Sequence, residues 1–348
     1  MPSKSVIASH SALDVLDGAR DEKLRVIAIA KRGRERAYRE FPIVDRLLIV
    51  ADYSEVVGRD VQNALMDEDS VFIPNRSFAV YVGYDRIERE FEVPVFGNKY
   101  LLRWEERTGE ASYYRLLDEA GINRPKTFTI DNFDGPVLVK LPEARRRVER
   151  AFIVAADKSD LESKLKRLVA RGLVDLRDLP KVSAEEYVFG AHFNANYFHS
   201  PVMNRLELHS IDRRIQSSLD GIYRLPARDQ LSTDPEVRYV EVGHEPATLR
   251  ESLLEKVFEI GHRFVKACER LVPPGIIGPF TLQFIVTPDL DIVVYDVATR
   301  IGGGTNVYMG IGGQYSKLYF GKPISMGRRI AMEIRMARES GRLEMLTT

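Results

Sequence analysis

Phe280-Thr281-Leu282-Gln283-Phe284-Ile285-Val286 and Ile292-Val293-Val294-Tyr295-Asp296-Val297, separated by Thr287-Pro288-Asp289-Leu290-Asp291, are the stretch from which the fold is read. Two apolar runs around a turn rich in Pro and Asp predict an antiparallel hairpin. A four-residue turn from Pro288 to Asp291 pairs Thr287 with Ile292 and sets Gln283 opposite Asp296. Opposed side chains share a face, with Cβ atoms about 4.5 to 5.5 Å apart. At that spacing an amide oxygen and a carboxylate either grip one hard cation, Mg²⁺ being the natural candidate, alongside phosphate oxygens, or form a polar pair on a half-solvated sheet. Spacing alone leaves both readings open.

Just beyond the hairpin comes Arg300-Ile-Gly-Gly-Gly-Thr-Asn306, whose permissive backbone either approaches an anion through its N–H groups or makes a flexible turn. On the N-terminal side, residues 249–271 predict a helix with Leu253, Leu254, Val257, Phe258, Phe264, Val265 and Cys268 on one face. Thr248-x-x-Glu251 caps it, and Pro273 and Pro274 end it. Further back, Phe193 to Phe198 and Leu206 to Asp212 read as strands. So do Val137 to Leu141, Phe152 to Ala155 and Glu185 to Phe189, with a helix opened at Ser159-x-x-Glu162.

The first third has a different rhythm. Val6 to Ala8, Val26 to Ala30, Leu47 to Val50, Val71 to Pro74 and Pro94 to Phe96 are short apolar runs alternating with helix-like stretches, which predicts a parallel α/β lobe. Ligands of such sheets bind beyond the carboxyl ends of the strands, where Ser9-His10-Ser11 and Asn75-Arg76-Ser77 fall. Arg103 to Ala120 reads as one long helix stopped by Gly121 and Pro125. The lobes expected are 1–123, 124–190 and 191–348, an α/β unit followed by α+β units.

A chain of 348 residues with 44% hydrophobic and 29% charged residues suits two or three modest lobes with clefts between them. No apolar run approaches the roughly 20 residues that span a bilayer, so no membrane partner is expected. Lys plus Arg equals Asp plus Glu at 51 each, so no global field draws the chain to nucleic acid. The single cysteine, Cys268, excludes an intrachain disulfide, and Met1-Pro2-Ser3-Lys4 lacks the apolar region of a signal peptide. A cytoplasmic location is expected.

Several ordered motifs carry a resemblance. Glu185-Glu-Tyr-Val-Phe-Gly190, Tyr197-Phe-His-Ser-Pro201, Ile211-Asp-Arg-Arg214, Asp220-Gly221, Arg224-Leu-Pro-Ala227 and Asp229-Gln230-Leu231 resemble the archaeal formate-dependent FAICAR synthetase family, often called PurP. Val95-Phe-Gly-Asn98, Leu102-Arg-Trp-Glu105, Val272-Pro-Pro-Gly275, Ile277-Gly-Pro-Phe280, Gly303-Gly-Thr-Asn306 and Ser325-Met-Gly327 extend it over nearly the whole chain. The resemblance implies an ATP-grasp fold with an N-terminal Rossmann-like parallel lobe. It implies ATP-dependent joining of formate to the amine of AICAR through formyl phosphate, a step of purine (IMP) biosynthesis that uses Mg²⁺, or Mn²⁺ in its place. It also suggests a homo-oligomer. By this resemblance His10 and Ser77 contact the substrate's phosphoribosyl group, Lys140 is aimed at the nucleotide phosphates, Glu185, Glu186, Tyr187 and Val188 form the hinge whose backbone reads adenine, and Gln283 and Asp296 are the metal pair.

Departures fall at the same places. The family's glycine-rich loop after the strand lysine is here Glu143-Ala-Arg-Arg-Arg-Val-Glu-Arg150, in which Arg145 is shared and the glycines are gone. Side chains with a Cβ avoid the positive φ that a close backbone cradle needs, whereas arginine forks bind phosphate directly. The loop is either a cationic lid or a solvated basic segment. Asn75-Arg76-Ser77 stands for His-Gly-Ser, and Ile215-Gln-Ser-Ser218 for Tyr-Glu-Ser-Asn. His244 stands for an asparagine near the substrate, Asp296 for a glutamate, and Gln216 for a carboxylate that holds ribose or metal. Three functions stay open: the active synthetase, with Lys140 and Arg145 as its catalytic candidates; a nucleotide-binding paralogue without turnover; and a ligase for another carboxylate or amine.

Overall fold

In the computed structural model residues 3–107, 109–130, 132–140, 152–170, 183–233 and 240–348 are described. Strands β1 (Ser3–Ile7), β2 (Arg25–Lys31), β3 (Arg46–Val50) and β4 (Ser70–Phe72) form a parallel sheet of order β3-β2-β1-β4. β2 is buried from Val26 to Ala30, which is why it reads as a continuous apolar run rather than an alternating one, whereas β1 is buried throughout although only Val6 and Ile7 of it are apolar. Residues 94–96 contribute two isolated bridges, Val95 to Phe72 (parallel) and Phe96 to Thr347 (antiparallel), instead of a strand.

A second, antiparallel sheet of order β5-β8-β6-β7 comprises β5 (Thr127–Phe128), β6 (Val137–Lys140), β7 (Phe152–Ala155) and β8 (Ser183–Glu186). Val137, Val139, Ile153, Ala155, Leu161 and Ala184 are its core under the helix Lys158–Ala170. That helix starts earlier than the Ser159 pattern predicts. Asp157 accepts the Asp160 N–H at 2.9 Å, and the Asp160 carboxylate accepts the Ala156 N–H at 3.0 Å. A carboxylate beside the first-turn N–H groups satisfies them and faces the positive end of the helix, so Asp157 displaces Ser159 as the cap.

The third sheet is antiparallel, of order β11-β10-β9-β12-β13: β9 (Ala191–Ser200), β10 (Arg205–Gln216), β11 (Glu241–Pro246), β12 (Gly278–Val286) and β13 (Ile292–Ala298). β12 is buried at every position, yet Thr281 and Gln283 alternate with Phe280, Leu282 and Phe284. Period two sends the apolar set to one face and the polar set to the other. The apolar face takes the helix Leu254–Leu271 through Val257, Ile260, Phe264, Ala267 and Cys268. Tyr197 stacks on Phe280 at 4.9 Å and donates its hydroxyl to Val257 O. The polar face cannot meet a second hydrophobic layer and fronts a cavity instead. The helix's first turn is a 3-10 segment, Glu251–Leu253, with no side-chain cap, so the predicted Thr248 cap is not formed.

Two further expectations are corrected. The span 103–120 is two pieces, a 3-10 turn Lys99–Glu105 and a helix Tyr113–Glu119. Gly109 at φ +99° takes a conformation closed to helix, and the Ser112 side chain then accepts the Arg115 N–H to start the helix afresh. The hairpin turn also differs. Val286, not Thr287, pairs with Ile292, and Thr287 N–H bonds Asp291 O at 2.9 Å with Leu290 at φ +63°. Tyr295 is then an extra residue between Val294, which faces Phe284, and Asp296, which faces Gln283. The bulge restores the pairing that the turn had shifted.

The sheets close on one another through the C-terminal residues. Met326, Ile330, Ile334 and Leu346 share a core with Val6, Val15, Phe198 and Ile277. Val95 N–H bonds Thr348 O, and Gly97 N–H bonds Leu346 O.

Candidate active site

A cavity of about 330 Å³ lies where the carboxyl ends of the parallel strands face the polar side of the large sheet. His10 and Arg76 line it from the first lobe, Glu105 to Arg107 and Tyr113 from the segment between, and Asn194, Asn196, Arg214, His244, Gln283 and Asp296 from the sheet. Arg300 and Gly302 to Gly304 close one end.

His10 sits at φ +49° in the turn after β1. Asn75 holds that turn by donating to Ile7 O at 2.8 Å and Ser9 O at 3.0 Å while capping the Phe78 N–H. Ser11 donates to Gly302 O, and Asn306 donates to His10 O, so the turn is bound to the glycine loop. Burial, then the nearby Arg300 cation, pushes the His10 imidazole down to about 4, and it is neutral at physiological pH.

Residue 244 is the opposite case. Its Nδ1 lies 2.6 Å from Asp212 Oδ2 and its Nε2 lies 2.9 Å from Glu241 Oε1. Two carboxylate partners require both ring nitrogens to donate, which is the imidazolium. Burial opposes that charge, but the hydrogen bonds to Asp212 and Glu241 outweigh it and raise the pKa to about 9. One cavity thus carries a neutral and a charged histidine.

Asp212, fully buried, is the residue on which this cluster rests. Besides His244 it accepts Asn194 Nδ2 at 2.7 Å and Asn196 Nδ2 at 2.6 Å, which compensates the cost of burying its charge. A methyl group at Gly304 would collide with this carboxylate. The glycine run therefore meets an anion that belongs to the protein. Sequence reading assigned Asp212, Asn194 and Asn196 no role. Their signal was polar residues at period two inside apolar strands, as in Phe193-Asn-Ala-Asn-Tyr197 and Ser210-Ile-Asp-Arg-Arg214.

Gln283 and Asp296 face each other across β12 and β13, and Asn194 faces Gln283 from β9. The Gln283 Oε1 atom is buried without a hydrogen-bond partner. Asp296 Oδ1 accepts the Val297 N–H, and Oδ2 lies 3.8 Å from the Arg214 guanidinium. Among the described residues no three His, Cys, Asp or Glu side chains converge as a metal cage. An orphaned amide oxygen opposite a carboxylate fits a Mg²⁺ that keeps water or phosphate as its other ligands. Tyr113 braces this pair by donating to the carbonyl of the bulged Tyr295 at 3.0 Å, and it accepts from Arg107 Nε at 2.6 Å.

Ser77, Glu185 to Val188 and Gln216 are not among the residues that line this cavity. Ser77 is buried in the first turn of the helix Arg76–Val82. Lys140 ends β6, paired with Ser183 and Phe152. Glu185 is buried in β8, with Oε1 3.4 Å from Arg107 Nε, which ties the small sheet to the cavity segment. The N–H groups of Glu186 and Tyr187 are bonded to Lys126 O and Pro136 O, so of the hinge candidates those two N–H groups are already engaged, and Val188 follows them. Gln216 sits at the irregular end of β10, its N–H bonded to Asp220. Arg145 lies outside the described residues.

Residues 5–128 match a family described as a protein of unknown function (DUF1246), and residues 160–348 one described as a domain of unknown function (DUF1297). A 5-formaminoimidazole-4-carboxamide-1-(beta)-D-ribofuranosyl 5'-monophosphate synthetase from Methanopyrus kandleri is 41% identical over 348 residues, 99% of this chain and 95% of the relative. The crystal structure of an IMP biosynthesis protein PurP from Thermococcus kodakaraensis superposes with a TM-score of 0.76 at 30% identity, covering 99% of this chain and all of that one. An N5-carboxyaminoimidazole ribonucleotide synthetase solved as an ADP complex has a TM-score of 0.61 at 12% identity over 93% of this chain and 78% of its own. That likeness bears on the fold alone, which is the ATP-grasp fold.

Proposed function

From the premise that the chain belongs to the archaeal 5-formaminoimidazole-4-carboxamide ribonucleotide (FAICAR) synthetase family, we propose that it joins formate to the amine of AICAR at the expense of ATP. The observation that carries this reading is one cavity in which His10, on the first lobe, meets Gln283, Asp296 and His244 on the large sheet. Substrate-side and phosphate-side groups are thereby within reach of a single ligand set.

In this reading the three lobes are 1–123, 124–190 and 191–348, and ATP lies between the second and third. Val188 and its neighbours hold adenine, Lys140 and Arg145 serve the phosphates, and Gln216 serves the ribose. Gln283 and Asp296 hold Mg²⁺, which when bound offsets charge on the γ-phosphoryl group. A formate oxygen attacks the γ-phosphorus, the bond to ADP breaks, and formyl phosphate forms. The AICAR amine then attacks the formyl carbon, phosphate leaves, and the amine gives up a proton. His10 and Ser77 hold the phosphoribosyl group in this scheme, and His244, whose two N–H groups are given to Asp212 and Glu241, keeps those carboxylates paired beside the substrate. Exposed Leu219, Tyr223, Leu225 and Leu231 supply apolar surface for the homo-oligomer. No helix among the described residues is long and apolar enough to cross a membrane.

Label from isotopic formate should enter a ribonucleotide product only when ATP and AICAR are both present. Label-free product under those conditions would sink the reading. Binding without turnover is the second reading, favoured by Arg214, which stands beside Asp296 where a cation would otherwise offset it.

A further inference from the structure

The cavity wall beside His10 contains two arginines on one carboxylate. Glu105, whose side chain is 3% exposed, has Oε2 3.3 Å from Arg76 Nη1 and 3.3 Å from Arg300 Nη2. Its Oε1 accepts the Thr299 N–H at 2.8 Å and lies 3.3 Å from Arg300 Nε without the geometry of a hydrogen bond. One buried negative charge therefore serves two guanidinium groups. The next carboxylate, Glu106, is exposed and takes the Tyr84 hydroxyl at 2.6 Å. A glycine at position 76, as in the resembled family, would leave Arg300 alone with Glu105. With Arg76 present, two guanidinium groups share the one buried carboxylate, and both arginines line the cavity, with the exposed Glu106 beside them.

We propose that Arg76 and Arg300, spaced by Glu105, form an oxyanion subsite that takes a carboxylate or a phosphate monoester, and that Arg76 sets its selectivity. Planar guanidinium forks match the paired oxygens of both groups, whereas Glu105 fixes the forks before a ligand arrives and so reduces the ordering cost of binding. The low basicity of His10 comes first from burial, with Arg300 and Arg76 adding to it and Glu241 opposing them. This inference deepens the ligase reading and rests on it for the identity of the ligand: the formate carboxylate or the monophosphate of the nucleotide.

The test needs no turnover. Formate and inorganic phosphate are titrated separately into the full chain and into its Arg76→Gln and Arg76→Lys variants, with binding followed by calorimetry and folding by circular dichroism. At least one probe should bind the parent chain, weaken tenfold or more in Arg76→Gln, and recover in part in Arg76→Lys. A loss confined to phosphate assigns the subsite to the nucleotide, and a loss confined to formate assigns it to the acyl donor. No binding of either probe by the parent chain, or undiminished binding by a folded Arg76→Gln chain, overturns the proposal. Failure of the ligase reading is separate, because it shows as absent product formation whatever these titrations give.

Discussion

Gln283 faces Asp296 only because Tyr295 is extruded between Asp296 and Val294, and the carbonyl of that extra residue is held by the Tyr113 hydroxyl at 3.0 Å. The pair proposed to hold a cation thus depends on a residue from the segment between the first and second sheets. Replacing Tyr113 by Phe leaves the Tyr295 carbonyl and the Arg107 Nε–H without this partner, at about 1 to 3 kcal/mol. The stability of Y113F by urea titration should fall by that amount, and its Mg²⁺ requirement for turnover should rise. Unchanged Mg²⁺ dependence would separate the bulge from the metal pair.

Gln283 offers a test in which stability and activity move in opposite directions. Its buried Oε1 has no partner in the protein, and an unsatisfied buried acceptor costs on the order of 1 to 3 kcal/mol. Gln283→Met keeps the volume and removes that acceptor, so the Tm without ligands should stay or rise while MgATP-dependent turnover falls at least tenfold. A drop in Tm with full turnover would assign Gln283 a purely structural role.

His244 predicts an alkaline limb of stability. Its pKa rises from 6.5 to about 9 on folding, so the folded chain binds the extra proton. The stabilisation is fully present below pH 6.5 and is lost as pH climbs through about 9, by on the order of 3 kcal/mol. The difference in unfolding free energy between the parent chain and His244→Asn should shrink across that window. A difference independent of pH would contradict the imidazolium. For His10 the sign is reversed: its folded pKa is about 4, so stability falls as pH drops below 6.5 and levels near 4.

Asp212 should be the least tolerant position of the cluster. Asp212→Ala leaves the His244 cation and two asparagine amides without their shared acceptor, a change worth about 3 to 5 kcal/mol for a broken buried pair. Chemical denaturation of D212A measures this, and a loss below 1 kcal/mol would mean that the cluster relaxes onto water.

Much of this arrangement was legible in the residues, and the parts that were not share a cause. Strands such as Val26 to Ala30 and Phe152 to Ala155 carry their own apolar signal. The Gln283 to Asp296 pairing was read correctly from a register that the turn does not keep, because the shift at Val286 and the bulge at Tyr295 cancel. Local signals competed at helix starts: Asp157 took the capping role from Ser159, and Gly109 with Ser112 broke the 103–120 span. Asp212 and Glu105 remained invisible as functional residues because their partners come from other elements. His244 is 32 positions from Asp212, and Arg300 is 195 from Glu105.

ATP-dependent formylation at this cavity couples ADP formation to both cosubstrates. Its most direct measurement is ADP release by the full chain with Mg²⁺ and ATP, leaving out formate and AICAR in turn, beside the Lys140→Met variant. ADP is expected only when both cosubstrates are present, and none from K140M. An absence of ADP in every combination, with AICAR nucleotide binding intact, would contradict it and leave a nucleotide-binding protein without turnover.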